Sequence, residues 1–181
     1  RVKLQSVSPV FISDIYMQKT PEPTKVNAII SFTNETPSSV KQDVELTVSE
    51  KNRPDKVVFR QLLKHVSFPP GKREMMIPVS VSDAKLWDLD TPELYTCNIQ
   101  IKKGKNTLDR DKKNFGFRWF SAEGVGTDAV LRLNGRRVML RSAISWGYFP
   151  VTGLIATPEM AEKQVLTAKK LGLNMLNFHR C

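Results

Sequence analysis

The sequence predicts a mainly β chain, in which an immunoglobulin-like antiparallel β-sandwich precedes a β-hairpin and one βαβ unit of an incomplete (β/α)8 barrel. Short apolar segments with rough period-two alternation recur between turn signals as far as residue 120, about seven of them, as in immunoglobulin-like sandwiches. Asn134-Gly135 stands between two alternating apolar runs, which is a strong hairpin signal. An amphipathic helix after Thr157 then separates two apolar strands, as in a parallel βαβ unit.

The sandwich strands are separated by clusters of Pro, Gly and polar residues, which favour turns. We expect strands at residues 10–16, 26–32, 44–48, 57 onwards, 75–81, 95–101 and 114–120. The turns fall at residues 21–23, 34–39, 53–55, 69–72 and 103–106. The Cys…Trp…Cys pattern of antibody domains is missing, so the spacing predicts only the architecture.

After a linker at residues 121–128, the hairpin arms are Ala129–Leu133 and Arg137–Leu140, and the second arm continues to Ile144 as a buried strand. Thr157 is suited to cap the helix, because Pro158 follows at the first helical position and Glu159 lies near the positive end of the dipole.

We expect the helix to bury one face and to end at a left-handed glycine, Gly172. The predicted buried face consists of Ala161, Val165, Ala168 and Leu171. Leu173–Phe178 then forms a second strand, parallel to the first. Residues 145–156 follow the first of these strands, on the side where (β/α) folds place active sites.

The composition excludes several classes of function. The net charge of +10 is spread along the chain, and the densest basic stretch contains acidic residues and lacks stacking aromatics, so we expect no nucleic-acid partner. No apolar run approaches the roughly 20 residues of a membrane span. Cys97 and Cys181 are expected to be free thiols, and neither His65 nor His179 has a second ligand at metal spacing, so we expect no metal and no cofactor.

Five motifs in order resemble glycoside hydrolase family 2. Leu86-Trp87 with Thr91–Tyr95 is similar to its "LW…P.LY" motif, and Phe115–Arg118 to the "GFR" that ends its sandwich domain. Leu133–Arg141 resembles the hairpin that begins its catalytic barrel. The remaining matches are Pro150–Gly153 with the Thr157 helix, and Lys170–Asn174. Residues before 86 agree only as a generic sandwich.

The resemblance implies a retaining β-glycosidase of the β-galactosidase, β-mannosidase and β-glucuronidase group, which hydrolyses O-glycosidic bonds in oligo- or polysaccharides. Residues 1–120 would be its sandwich and residues 129–181 the truncated start of its barrel. The chain begins with Arg1 rather than Met, so we expect an internal piece of a longer protein, periplasmic or secreted if it degrades polysaccharide. In the family both catalytic carboxylates lie on later barrel strands, so we assign no catalytic residue and expect the chain alone to be inactive.

Three residues are candidate contacts for the carbohydrate substrate. Asn177 and His179 would line the sugar subsite or form a polar layer of the barrel, and Trp146 would stack on a sugar ring or cover the barrel mouth. The sequence departs from the family pattern here. Ser142 replaces a usual Gly, Asn177 stands at a usual Arg position, and Arg180 stands where His is usual.

An alternative interpretation is a non-catalytic immunoglobulin-like binding or adhesion module, although such a module needs neither the barrel hairpin nor a βα unit. The strands of the tail would lack neighbours in this chain, so we expect self-association or a disordered tail. The side chains that would drive association are Val138, Leu140, Ile144, Leu173 and Leu176.

Overall fold

The structure is a computed structural model that describes residues 6–145, 153 and 157–178. Its strands are β1 (Val10–Lys19), β2 (Lys25–Asn34), β3 (Val40–Glu50), β4 (Arg53–Phe68), β5 (Gly71–Ser80), β6 (Tyr95–Lys103), β7 (Asn106–Phe115), β8 (Phe120–Glu123), β9 (Val130–Leu133), β10 (Arg136–Arg137), β11 (Ser142–Ser145) and β12 (Met175–Phe178). One helix, α1 (Pro158–Lys170), is found among the described residues, and it is too short and polar to span a membrane. The predicted mainly β fold class is confirmed.

The described residues divide into two compact units. The first contains the residues up to Phe120 together with Leu133–Gly135, and the second contains the other residues after Phe120.

The first unit is a sandwich of a three-stranded sheet, β1-β2-β5, and a four-stranded sheet, β4-β3-β6-β7, and the neighbouring strands within each sheet are antiparallel. Alternate residues of the central strands point into one hydrophobic core, as the period-two patterns predict. The fully buried side chains of this core include Ile30, Phe32, Val44, Leu46, Val48, Phe68, Cys97, Ile99, Ile101 and Phe117.

Two sequence expectations about the sandwich strands are wrong. The last strand, β7, begins at Asn106 rather than at residue 114, because its charged residues face water while Leu108 and Phe115 pack on the core. Residues 53–55 are not a break, since Arg53 already begins β4. Pro54 is tolerated there because β4 is an edge strand, so the missing N–H costs no ladder hydrogen bond.

The second unit contains a parallel βαβ unit, as predicted. Strands β11 and β12 pair in parallel, from Ser142 opposite Met175 to Ser145 opposite Phe178, and α1 makes the connection. A second small sheet has the order β10-β9-β8, so part of the segment expected to be a linker is the strand β8.

Both ends of α1 are capped by the residues that the sequence predicts. The Thr157 hydroxyl accepts the Met160 N–H at 3.3 Å. At the other end Gly172 has φ +75° and donates its N–H to the Lys169 carbonyl, while Leu173 donates to the Ala168 carbonyl. These two hydrogen bonds form a Schellman motif, which requires the left-handed glycine.

The buried face of α1 differs from the predicted one. Of the four residues expected on that face, only Ala168 is buried; Ala161, Val165 and Leu171 are exposed. Met160 and Gln164 are the covered residues in the preceding turns, so the helix is rotated relative to the apolar stripe. The pattern of apolar residues therefore predicts the wrong buried face for α1, because a polar side chain, Gln164, occupies the centre of the covered face.

Cys97 lies in the sandwich core, and burial raises the pKa of its thiol to about 12. Only the thiolate is nucleophilic, so in a Cys181→Ser variant we expect Cys97 to resist thiol reagents near pH 8 until the protein unfolds. Because the folded pKa exceeds the unfolded value of 9.0, the stability gained by burying the neutral thiol is fully present below pH 9.0 and falls as the pH rises towards about 12. Labelling with and without denaturant measures the difference; equal rates would contradict it.

Candidate functional site

The carboxyl ends of β11 and β12 form the edge at which a parallel βαβ unit places ligand-binding side chains. Asn177 lies at this edge, opposite Ile144 in the neighbouring strand, and it is exposed. Leu176 lines the space below α1, so Asn177, one residue later, lies on the opposite face of the pair. The other two predicted sugar contacts, Trp146 and His179, lie outside the described residues.

On the helix side of the same strand pair lies an open cleft of about 460 Å³. Its lining is mostly apolar, from Ala143, Ile144, Met160, Ala168, Leu171, Leu173 and Leu176. The Gln164 side-chain amide donates to the Ser145 hydroxyl at 2.6 Å, which links α1 to the end of β11. This link was not predicted from the sequence, although Met160, Gln164 and Ala168 follow the i, i+4 spacing that marks one helix face. The cleft belongs to the packing layer between helix and strands, and Asn177 is not among the residues that line it.

The acidic residues that follow Phe120 lie away from this edge. Glu123 forms an ion pair with Arg132 at 2.7 Å, and Asp128 lies in the loop before β9. Glu159 and Glu162 are on α1, and the pKa of Glu159 is lowered by its own backbone N–H and by the Thr157 hydroxyl. None of these four carboxyl groups is at the carboxyl end of β11 or β12.

Two carboxylates of the four-stranded sheet, Glu45 and Glu50, form ion pairs with lysine and arginine side chains. The pKa of Glu45 is lowered chiefly by a hydrogen bond from Lys102, with Arg60 adding to the effect. The pKa of Glu50 is lowered by a hydrogen bond from Lys56 at 2.6 Å and another from Arg53. Each carboxylate thus has two cationic partners and remains ionised, as in a structural ion pair. Among the described residues, no group of three or more His, Cys, Asp or Glu side chains could hold a metal ion.

Residues of three of the five sequence motifs come together in one place, which we call the motif cluster: Trp87, Tyr95, Phe115–Trp119 and Asn134. Trp87 donates its N–H to the Phe117 carbonyl at 2.9 Å, and the Arg118 guanidinium lies 4.3 Å from the centre of the Trp87 ring. A Cβ atom on Gly116 would lie 2.8 Å from the Trp87 Cβ, so only glycine fits at this position.

Aromatic packing and one asparagine complete the cluster. The Tyr95 hydroxyl accepts the Lys85 N–H at 2.8 Å, and its ring packs edge-on against Phe117 with centroids 5.0 Å apart. Asn134, at φ +51°, donates its side-chain amide to the Trp87 carbonyl at 2.8 Å and accepts the Trp119 N–H at 3.2 Å. The sequence identifies Asn134 only as a turn residue. No local sequence pattern predicts that its side chain forms hydrogen bonds with Trp87 and Trp119. The motif cluster therefore has a structural role in the first unit.

Comparison with known proteins gives a family model and a set of relatives. The model of glycosyl hydrolases family 2 matches residues 10–118. A putative β-glucuronidase of Formosa agariphila is 29% identical over 180 residues, covering 97% of this chain and 16% of that protein. A β-galactosidase of Thermoanaerobacterium thermosulfurigenes is 33% identical over 98 residues, 54% of this chain and 13% of that protein. The chain thus spans less than a fifth of these relatives.

Solved structures share the fold. A family 2 glycosyl hydrolase from Bacteroides cellulosilyticus superposes with a TM-score of 0.86 at 20% identity, covering 97% of this chain and 24% of that one. The β-glucuronidase of Parabacteroides merdae gives a TM-score of 0.76 at 24% identity, with 93% of this chain and 21% of that chain covered. Both matches extend beyond the residues of the sandwich, so the fold similarity includes the second unit.

Proposed function

Because the chain belongs to family 2 of the glycosyl hydrolases, we propose that it is part of a retaining β-glycosidase that hydrolyses O-glycosidic bonds in oligo- or polysaccharides. The observation that carries the proposal is the parallel β11–α1–β12 unit that follows a family 2 sandwich. In this proposal β11, α1 and β12 are the first strand, first helix and second strand of a (β/α)8 barrel. Such barrels build their active sites at the carboxyl ends of the strands.

Retaining hydrolysis requires an acid/base carboxyl group and a nucleophilic carboxylate about 5–5.5 Å apart on either side of the scissile bond. The acidic residues of the second unit lie on α1, on β8 and in the loop before β9, and so they cannot form this pair at the strand ends. We infer that later strands of a longer polypeptide supply both carboxylates, and that this chain supplies supporting structure and, among its described residues, a sugar contact at Asn177.

Asn177 is the residue that we assign to the sugar. An exposed amide at the end of a barrel strand can donate to one sugar hydroxyl and accept from another. The relatives' names point to a β-glucuronide or a β-galactoside as the sugar held. A neutral amide at this position would bind the hydroxyls of either sugar, so the choice between them lies with other residues.

The test compares the 181-residue chain with the longer product of the same coding region. We expect the chain alone to show only background turnover of nitrophenyl β-glucuronide, β-galactoside and β-mannoside, because general acid and nucleophile are both missing. The longer product should hydrolyse one of them with retention of anomeric configuration, followed by proton NMR. Inversion, or turnover that follows the purified 181-residue chain, would contradict the proposal.

In the longer product, Asn177→Ala should lower kcat/KM by about 5- to 150-fold, since a lost hydrogen bond to substrate costs roughly 1–3 kcal/mol. The matched control is Asn52→Ala, which removes the same side chain from an exposed turn between β3 and β4. Unchanged kinetics in the Asn177 variant would assign this residue to a polar layer without substrate contact.

A further inference from the structure

The outer face of the three-stranded sheet carries a row of apolar side chains. Register places Tyr16 opposite Ile29 and Ile29 opposite Met76, so the three lie side by side across β1, β2 and β5. The row is about 10 Å long, two interstrand spacings. Tyr16 is 56% exposed and Met76 is 60% exposed, while Ile29 between them is half-buried.

A β-bulge in β1 places Tyr16 in this row. The register shifts between Ile12 and Asp14, so Ser13 is an extra residue in the strand. After the bulge Ile15 points into the core and Tyr16 points outwards. The Asp109 carboxylate accepts the Ile12 N–H at 2.7 Å next to the bulge, which supports its geometry. The hydrogen bond from Ile12 to Asp109 therefore stabilises the part of β1 that precedes Tyr16.

Hydrogen-bonding side chains, together with Pro78, border the apolar row. Towards one end of the strands the next outward residues are Asp14, Ser31 and Glu74, and towards the other they are Gln18, Asn27 and Pro78. The Ser31 hydroxyl lies 3.4 Å from a Glu74 carboxylate oxygen. The side chains of Asp14, Gln18 and Asn27 have no partner within the described part of the chain, so they are available to a ligand.

We propose that this outer face is a binding surface for a neutral glycan chain, separate from any catalytic site. A pyranose ring has an apolar face of C–H groups and an edge of hydroxyls. The apolar row, with the rigid aromatic ring of Tyr16, can pack against the C–H face of the sugar. The flanking carboxylates and amides can accept hydrogen bonds from the sugar hydroxyls, and the amides can also donate to them. The two ends of the row, Tyr16 and Met76, are both exposed, so a polysaccharide can lie across the three strands.

Charge selects a neutral glycan over a polyanion. The carboxylates of Asp14 and Glu74 border the row directly, and a uronate or sulfate group would meet them first. Lys72 lies beyond Glu74 on the same face, and at the other end Lys25 is paired with Glu22 at 2.6 Å. Neither cation adjoins the apolar row, although the chain as a whole is strongly basic.

The shape of the row selects a glycan over a protein partner. A stable protein interface buries about 800 Å² on each partner around an apolar centre. Here the apolar strip of Tyr16, Ile29 and Met76 is one residue deep along the strands, and five of the six residues that border it are polar, Pro78 being the exception. Such a strip fits a chain of sugar rings, whose apolar faces are equally narrow.

Isothermal titration calorimetry of the 181-residue chain with soluble galactomannan and xyloglucan tests the proposal without any turnover. We expect saturable binding of at least one of these neutral polysaccharides. Tyr16→Ala should weaken it about tenfold, the usual scale for a lost aromatic stacking contact, and Tyr16→Phe should retain it. Leu62→Ala is the matched control, because Leu62 is 46% exposed on the other sheet and should not contribute.

Any one of three binding results would overturn the proposal: no binding of either neutral polysaccharide, equal binding by the wild type and Tyr16→Ala, or preferred binding of polygalacturonate that salt abolishes. Self-association that is lost in Tyr16→Ala, measured by sedimentation, would assign the face to a second copy of the chain and would also overturn it. Since binding is read directly, these outcomes are independent of whether the longer polypeptide proves to be a glycosidase.

Discussion

Replacement of Phe117 by alanine should lower the free energy of unfolding of the first unit by about 3–5 kcal/mol. Phe117 is fully buried, and its ring packs edge-on against Tyr95 and Phe115 with centroids 5.0 and 5.1 Å away. Alanine removes the transfer free energy of the ring and leaves a cavity, and it also loses two aromatic contacts.

The backbone of Phe117 makes this cavity hard to close. Its carbonyl accepts the Trp87 N–H, and an isolated parallel bridge joins Phe117 to Leu86. These bonds hold the segment in place, so the surrounding residues cannot collapse freely into the space. The cost should therefore lie in the upper part of the range.

Urea unfolding followed by tryptophan fluorescence measures the change, with Phe120→Ala as control. Phe120 is 44% exposed at the end of the same unit, and its removal should cost less than about 1 kcal/mol. If the two variants lost similar amounts of unfolding free energy, the side chains of the motif cluster would not be tightly packed around Phe117.

Native-state hydrogen exchange should show a large difference between the two units. The amides of Val44, Leu46 and Val48 lie in β3, a central strand with partners on both sides and a fully buried inner face. They should exchange only on global unfolding, which for a small domain costs roughly 5–15 kcal/mol.

The amides of Leu176 and Phe178 should exchange far faster. Strand β12 has one partner, β11, and α1 above them contributes Ala168 as its only buried residue within the described chain. The pair exposes Ile144, Met175 and Phe178, so little apolar burial opposes local opening. We expect protection to differ by at least about a thousandfold, which corresponds to about 4 kcal/mol.

The exchange experiment must be combined with sedimentation, because a second copy of the chain bound to β11 and β12 would increase the protection of their amides. Equal protection in a monomer would contradict the expectation and show that the βαβ unit is stable by itself. Equal protection in an oligomer would mean that a second copy covers the exposed strands, as the sequence-based expectation of self-association allows. Of the five side chains behind that expectation, Leu140 and Ile144 are exposed, whereas Val138, Leu173 and Leu176 are half-buried.

Local chemistry made parts of this fold predictable from sequence. Period-two alternation located the central strands, and Thr157 and Gly172 set the ends of α1, because caps and left-handed glycines act over a few residues. The parallel pairing of β11 and β12 followed from the connection through α1.

The failures have a common origin in contacts between distant residues. The start of β7 was misplaced because an outward-facing charged strand has no apolar alternation to mark it. The face of α1 was misplaced because Gln164 is held by Ser145, nineteen positions away, rather than by apolar burial. Asn134 was assigned to a turn, and its bonds to Trp87 and Trp119 depend on a tertiary arrangement that no local pattern encodes.

Leu133–Gly135 belongs to the first unit although a strand of the second unit precedes it in the chain, and this order matters during synthesis. When residue 120 leaves the ribosome, all seven sandwich strands are available, but the Trp87 carbonyl and the Trp119 N–H still lack Asn134. Residue 135 follows 15 residues later (135 − 120), which is about 1–3 s at ordinary elongation rates. During this interval all seven strands of the sandwich have been synthesised, but the hydrogen bonds of Asn134 cannot yet form. Codons in this interval that slow the ribosome would lengthen that exposed period.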